Sequence, residues 1–383
     1  MWPESNEQPK PLKTGLTTGC CATACCVAAA QYLLGHKKLE TVSVTLPKGK
    51  IVELKILESR FEDNTHSEVF DKSTSDQIAR TSTIKDAGDD PDVTHGATIF
   101  VELKLSDNKE IKFSAAKGVG TVTREGLALD VGGPAINPVP RKMMTEHLQA
   151  IARRYNYLGG FEVAVGVEDG EQIALKTMNP RLGIVDGLSI LGTTGIVRPF
   201  SCSAYIASIH QGIDVATTNG YQHIAATTGN QSEAAIKDIY QLPEMALIEM
   251  GDFVGAVLKY LKKVPIEKLS ICGGFGKLTK LAQGHLDLHS SKSSIDFEFL
   301  AELAKSEGGD EQLLQEIIGS NTSMQALKFC QQKQVDLAGA VCRYALAKVV
   351  SIVPEKIEVE VWAIDRQGQI VANTLSNKQA GLI

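Results

Sequence analysis

The spacing of apolar positions changes character close to residue 200. Before it, apolar and polar residues alternate in short runs broken by Gly, Pro, Asn and Asp, the pattern of paired strands. Val42–Leu46 and Ile51–Leu57 flank Pro47-Lys48-Gly49-Lys50, and Ala97–Leu105 and Glu110–Ser114 flank Ser106-Asp107-Asn108-Lys109, which predicts two hairpins. Thr17-Thr18-Gly19 reads as a helix start leading into small residues as far as Leu34. Met144–Asn156 reads as an amphipathic helix, Phe161–Val167 as a strand and Glu171–Met178 as a short helix. Hairpins and helices mixed without βαβ regularity predict an α+β domain over residues 1–200. After Ser201, apolar strands His223–Thr227, Ala246–Ile248 and Leu269–Cys272 alternate with helices Ser232–Tyr240, Phe253–Lys262 and Lys277–Gln283. That alternation predicts a Rossmann-like, doubly wound α/β domain over residues 201–383. A helical region, Phe297–Val350, and a hairpin of Ile357–Ile364 with Gln369–Asn373 complete it.

Composition leaves this picture in place. A chain of 383 residues, 43% hydrophobic and 22% charged, is an ordinary globular protein of about two domains. With 39 Lys and Arg against 45 Asp and Glu, the net charge of −6 gives no global pull toward nucleic acid. No apolar run approaches the roughly 20 residues that cross a bilayer. Met1–Lys10 is polar, without the apolar core of a signal peptide, so the expected compartment is the cytoplasm. Four of the eight cysteines, Cys20, Cys21, Cys25 and Cys26, crowd into one helix, where they cannot easily surround a tetrahedral ion. They read as small buried thiols.

Candidate chemistry lies on the loops. Lys176–Ser201 is too rich in Gly, Pro, Asn and Thr for a regular element and too apolar for a solvated linker, so it reads as the join between domains and one wall of a site. Arg181 and Arg198 stand beside prolines that stiffen the backbone around them. Lys117-Gly118-Val119-Gly120 and Asn137-Pro138-Val139-Pro140-Arg141 add Lys117, Arg124, Arg141 and Lys142, giving cations on rigid loops suited to carboxylates or phosphates. The start of the Cys-rich helix offers two readings, an anion site at its free amides or a packed helix with a Thr cap. Lys85–Gly96 holds Asp86, Asp89, Asp90 and Asp92 around Gly88 and Pro91, and a solvated turn is the safer reading than a cation loop. In the second half, Thr227-Thr228-Gly229-Asn230, Glu249-Met250-Gly251-Asp252 and Gly273-Gly274-Phe275-Gly276-Lys277 follow the three strands, where ligands of parallel sheets bind. Glu249 comes 20 residues after Gly229, near the offset at which a carboxylate takes a ribose hydroxyl. His285 and His289 with Asp287 lack a third announced ligand and read as structural or substrate-contacting.

Together these motifs resemble the cobalt-precorrin-5B C1-methyltransferase family. The residues that carry the resemblance are Gly15-Leu16-Thr17-Thr18-Gly19, Asp86–Gly96, Lys117–Thr121, Ala135–Arg141, Asn179–Gly183, Gly192–Pro199, Thr228-Gly229-Asn230, Gly276-Lys277-Leu278, Gly284-His285 and Asp287–Ser290. The resemblance spans about Leu12 to Ser290. It departs from the family pattern at Cys20, where Thr or Ser is commoner, at Gly133, where an acidic residue is commoner, and at Gly274, where His is commoner.

The resemblance implies S-adenosylmethionine-dependent methylation of carbon 1 of cobalt-precorrin-5B in cobalamin biosynthesis. The cofactor would lie across Thr228, Gly229, Asn230, Glu249, Asp252, Gly274, Gly276 and Lys277. The carboxylate-rimmed tetrapyrrole would lie against Lys117, Arg141, Arg181, Arg198, Thr193 and Thr194. His95 or Asp89 would serve where a ring proton must be removed. No protein-bound metal is expected, since the substrate carries the cobalt, and neither nucleic acid nor membrane is an expected partner. Self-association and hand-over to neighbouring pathway enzymes stay open. The rival readings are a non-catalytic corrinoid carrier or scaffold, against which Glu249 speaks, and a phosphotransferase, against which the absence of a G-x-x-x-x-G-K-[ST] loop speaks.

Overall fold

A computed structural model describes residues 11–62, 77–264 and 266–375; the polar segment Met1–Lys10 lies outside the described residues. The chain divides into two compact units, Met1–Cys202 and Ser203–Ile383.

The first unit is built on the helix Thr18–Gly35. From Thr18 to Ala30 every residue is buried, which leaves no polar stripe. By length and composition this helix would also pass as a membrane span, but its apolar surface is used inside the unit's own core. It packs on a five-stranded sheet with the spatial order Glu58–Glu62, Ile78–Ile84, Thr98–Ser106, Gly160–Val167, Ile111–Ala115. Side chains mostly no larger than a thiol let the helix backbone approach the sheet. The Cys25 thiol donates to the Ile99 carbonyl at 3.5 Å, and the Thr81 hydroxyl donates to the Cys25 carbonyl at 2.7 Å. Burial pushes the Cys21 thiol up to about 12 and raises those of Cys20, Cys25 and Cys26 further, so all four stay protonated. Among the described residues, no group of three or more His, Cys, Asp and Glu side chains is placed to hold a metal ion.

Two expectations for this unit need correction. Thr98–Ser106 and Ile111–Ala115 do not pair as a hairpin, because Gly160–Val167 runs between them, antiparallel to the first and parallel to the second. That strand is apolar on both faces, as a central strand must be, and the Tyr157 hydroxyl holds its start by donating to the Ser106 carbonyl at 2.8 Å. The helix expected from Met144 begins at Pro138, six residues earlier. Proline suits the first helical position, where its missing N–H costs nothing, so Arg141 belongs to a helix's first turn rather than to a loop. Thr41–Thr45 and Ile51–Lys55 do pair antiparallel.

In the second unit the sheet order is Leu247–Glu249, His223–Thr227, Lys268–Gly274, Glu358–Ile364, Ile370–Asn373. The first four strands are parallel and the last is antiparallel. The expectation of a Rossmann-like, doubly wound domain is therefore corrected to a mixed α/β fold. The helical region expected over Phe297–Val350 lies within the sheet in sequence: five helices, between Phe275 and Val350, separate the third and fourth strands. The hairpin at the end supplies two strands of the sheet, and its last strand turns the edge antiparallel. Six sheets make up the described residues, four of them two-stranded. The core of this unit gathers Ile213, Ile224, Ile248, Leu258, Phe275 and Val341 between the sheet and its helices.

Close approach in the first unit predicts a stability effect. A Cβ at Gly15 would run into the Ala87 backbone. Gly15→Ala must displace the turn it leans on, at about 1–3 kcal/mol, and a thermal melt should show a clear drop in Tm; an unchanged Tm would remove the packing argument.

Candidate functional site

Three strand ends meet in the second unit. Thr227, Glu249 and Cys272 lie side by side in register on adjacent strands. The next residue, Thr228, organises the turn: its N–H donates to the Ser232 hydroxyl at 3.0 Å, its hydroxyl accepts the Gly274 N–H at 3.4 Å, and its carbonyl accepts from Lys277 Nζ at 3.3 Å. Lys277 Nζ also lies 3.0 Å from Asp252 Oδ1. One ammonium thus ties the turns after two strands. Glu249 is half-buried and makes no hydrogen bond or ion pair to another described residue. The Thr227 hydroxyl is buried without a partner.

The helices Asn230–Tyr240 and Phe275–Ala282 start from Gly229 and Gly274 with no side chain capping them. A Cβ at either glycine would meet nothing within 4 Å. Open space thus borders the first-turn amides of two helices, together with a carboxylate, a hydroxyl and an ammonium. Such a set suits a polar ligand with hydroxyl and carboxylate groups. Asn230, exposed, stands at the edge of this space. Gly276 does not: its Cβ position lies 2.8 Å from Ser323 Oγ, so it serves the packing of Ser323–Gln332 against its own helix. Tyr205, which the sequence reading omitted, and Phe253 flank the Glu249–Asp252 turn with ring centroids 5.5 Å apart. The signal available was the amphipathic spacing of Cys202–Thr218, a helix the pattern reading passed over.

In the first unit the loops form one body. Gly120 N–H donates to Leu188 O, Ala135 N–H to Gly120 O, Ile190 N–H to Ala135 O and Asn137 N–H to Ile190 O, at 2.7–3.1 Å. The glycine loop after Lys117, the prolines before Arg141 and the stretch holding Arg181 are knit together in this way. The start of the Cys-rich helix joins them. Thr17 Oγ1 accepts the Cys20 N–H at 3.2 Å, Gly19 N–H donates to Leu191 O at 2.9 Å and Thr17 N–H to Gly195 O at 3.0 Å. Those donors are occupied, which decides for the capped, packed helix over an anion site.

The predicted substrate residues differ in how they are held. Lys117, Thr193 and Arg198 are exposed, and their side chains make no hydrogen bond or ion pair to other described residues. Thr194 closes its own turn on Ile196. Arg181 is half-buried in the short helical turn Pro180–Leu182. Arg141 donates from Nε to Ile136 O at 2.7 Å and from Nη2 to Pro134 O at 3.1 Å, and burial lowers its pKa despite Asp130 nearby.

The aspartate turn is mostly engaged in structure. Asp86 accepts from Lys13 Nζ, Asp89 from the Lys13 N–H, both at 2.6 Å, and Asp90 from the Phe200 N–H at 2.8 Å. Asp92 pairs at 2.5 Å with Lys85, whose side chain is 2% exposed. His95 Nδ1 accepts the Ala87 N–H at 3.1 Å, so the neutral ring presents its other nitrogen as a donor.

These features define a class: a two-unit protein of helices and sheets with cations on stiff loops in one unit and an open polar strand end in the other. The chain belongs to the CbiD family. Residues 5–199 match CbiD and residues 287–375 match the CbiD C-terminal domain. The chain is 62% identical over 98% of its length to a cobalt-precorrin-5B C(1)-methyltransferase of Marinomonas sp. strain MWYL1, covering 97% of that protein. It is 59% identical over 97% of its length to proteins of the same name from Pseudomonas savastanoi and Pseudomonas putida, covering 97% and 98% of them. A crystal structure of the cobalamin biosynthesis protein from Archaeoglobus fulgidus is 27% identical, with a TM-score of 0.38, over 73% of this chain and 83% of that one.

Asp92 offers a test of the turn. Burial raises its pKa, but bonds from Lys85 and Thr94 outweigh this and the net shift is downward. Its stabilisation is therefore full above the unfolded carboxylate pKa of about 4 and is lost as pH falls through the lower folded value. Asp92→Asn leaves the buried Lys85 ammonium unpaired and should cost about 3 kcal/mol near neutral pH. Denaturant titrations should find this gap between variant and wild type shrinking at acid pH; a constant gap would mean that the charge pair is not the cause.

Proposed function

We propose that this chain transfers a methyl group from S-adenosylmethionine to carbon 1 of cobalt-precorrin-5B, giving cobalt-precorrin-6A. The observation that carries the reading is near-full-length identity of 58–62% to proteins named for that reaction. Adenosylmethionine supplies a methyl on a cationic sulfur, and the carbon–sulfur bonding pair leaves with the sulfur as a neutral thioether. The work left to the chain is alignment, which is where much of the rate in such displacements originates.

Within the second unit, Thr228, Gly229, Asn230, Glu249, Asp252, Gly274 and Lys277 would hold the cofactor. Glu249 would accept from ribose hydroxyls, and the uncapped amides beyond Gly229 and Gly274 would receive its carboxylate. Gly276 would support this site from behind. Within the first unit, Lys117, Arg198, Thr193 and Thr194 would meet rim carboxylates of the tetrapyrrole, with Arg181 and the remaining N–H groups of Arg141 adding to them. His95 and Asp89 stand as acceptors for a ring proton, His95 only after its ring tautomer exchanges and Asp89 through lone pairs the Lys13 amide leaves free.

Anaerobic incubation with cobalt-precorrin-5B and methyl-labelled adenosylmethionine, read by mass spectrometry, tests the reading. One label on the macrocycle supports it; tight binding of both molecules without transfer favours a carrier. Arg198→Ala should weaken tetrapyrrole binding about tenfold, as loss of one charge-assisted contact does, and leave adenosylmethionine binding unchanged. An equal fall in both affinities would remove Arg198 from the substrate site.

A further inference from the structure

Tyr205 lies on the helix Cys202–Thr218, which brings its ring to the turn after Leu247–Glu249. A Cβ at Gly251 would lie 3.0 Å from its hydroxyl oxygen, a tight contact that puts the phenol against this turn. The ring is half-buried, tilted against Phe253, and its hydroxyl makes no hydrogen bond to another described residue. Two carboxylates, Glu249 and Asp252, belong to the same turn. Lys277 stands against Asp252 at 3.0 Å, and no cation among the described residues pairs with Glu249. Burial, then Glu249 and Asp252, push the phenol up to about 12, which records how negative its surroundings are. An aromatic face beside an uncompensated carboxylate attracts a cation and gives a neutral group of the same shape no such attraction.

We propose that Tyr205, with Glu249 beside it, selects the sulfonium form of the cofactor over the neutral thioether left after transfer. The proposal rests on the methyltransferase reading above and names a residue that the reading does not use. Methyl transfer removes the positive charge from sulfur, because the bonding pair stays with it. The contact that favours the reactant is therefore cancelled by the reaction, and the product is released from a site that still fits its shape.

The test is calorimetric titration of the full chain with adenosylmethionine and, separately, with adenosylhomocysteine, on wild type, Tyr205→Leu and Tyr205→Phe. Wild type should prefer the sulfonium. Tyr205→Leu should lose about tenfold in affinity for adenosylmethionine with little change for adenosylhomocysteine. Tyr205→Phe, which keeps the ring, should retain the wild-type ratio. Since both ligands are measured on each variant, partial unfolding cancels from the ratio. An equal fall for both ligands, no change for either, or a wild type without preference would overturn the role of Tyr205 and leave the methyltransferase reading standing. A wild-type chain that binds neither ligand would overturn both.

Discussion

The main chain of the Cys-rich helix touches its neighbours because little along its buried length is larger than a thiol. Much of the first unit depends on that approach. With larger side chains at Cys25 or Ala24, the Thr81 hydroxyl could not reach the Cys25 carbonyl at 2.7 Å. At the helix start, the Cβ position of Gly19 lies 2.6 Å from Pro140 Cγ and 2.9 Å from Leu191 O. The start of one helix, the proline-led turn of another and the loop after Leu191 therefore occupy one small volume. Rigidity of the loops that carry Lys117, Arg181 and Arg198 follows from this crowding, since their backbone groups bond to one another instead of to water.

How much of this was legible in the sequence depends on the element. His223–Thr227 was readable to the residue because an apolar run ends in a Thr-Thr-Gly turn. Ile78–Ile84, reading Ile-Ala-Arg-Thr-Ser-Thr-Ile, was not, because its buried threonines look polar and only Thr81 and Thr83, bonded across to Cys25 and Lys55, explain their burial. The false hairpin at Ser106–Lys109 had good turn chemistry; what overrode it was a strand arriving fifty residues later, and no local pattern announces pairing at that distance. Arg141 was visible as a cation held by prolines, but its donation to the Ile136 and Pro134 carbonyls was not. Strand-end residues of the second unit were readable from spacing alone. Tyr205 was not, since only the folded chain brings it to Glu249.

The Rossmann-like expectation failed for a related reason. Periodicity identifies a helix but says nothing of where the sheet it covers continues. Between Gly274 and Glu358 the chain builds helices around Leu300, Leu313, Leu327 and Val341 and only then returns to the sheet. Gly276 was assigned to a ligand on motif grounds, and its contact with Ser323 belongs to this same helical layer.

The two ends of the second unit's sheet treat their polar groups differently. Near the start of the strands, Glu360 is fully buried yet accepts from Ser270 Oγ at 2.5 Å and Trp362 Nε1 at 2.9 Å, with Lys268 Nζ at 3.0 Å from its other oxygen. Charge burial is tolerable there because one carboxylate oxygen accepts two side-chain hydrogen bonds and the other is paired with the Lys268 ammonium. At the carboxyl ends of the same strands, the Thr227 hydroxyl is buried without a partner, Glu249 has no cation against it, and two helices begin uncapped over open space. Leaving such groups unsatisfied lowers stability. Glu360 has a cation and two donors against its carboxylate, whereas the side chains of Glu249 and Thr227 have neither among the described residues, and a polar ligand at the strand ends is what would complete them.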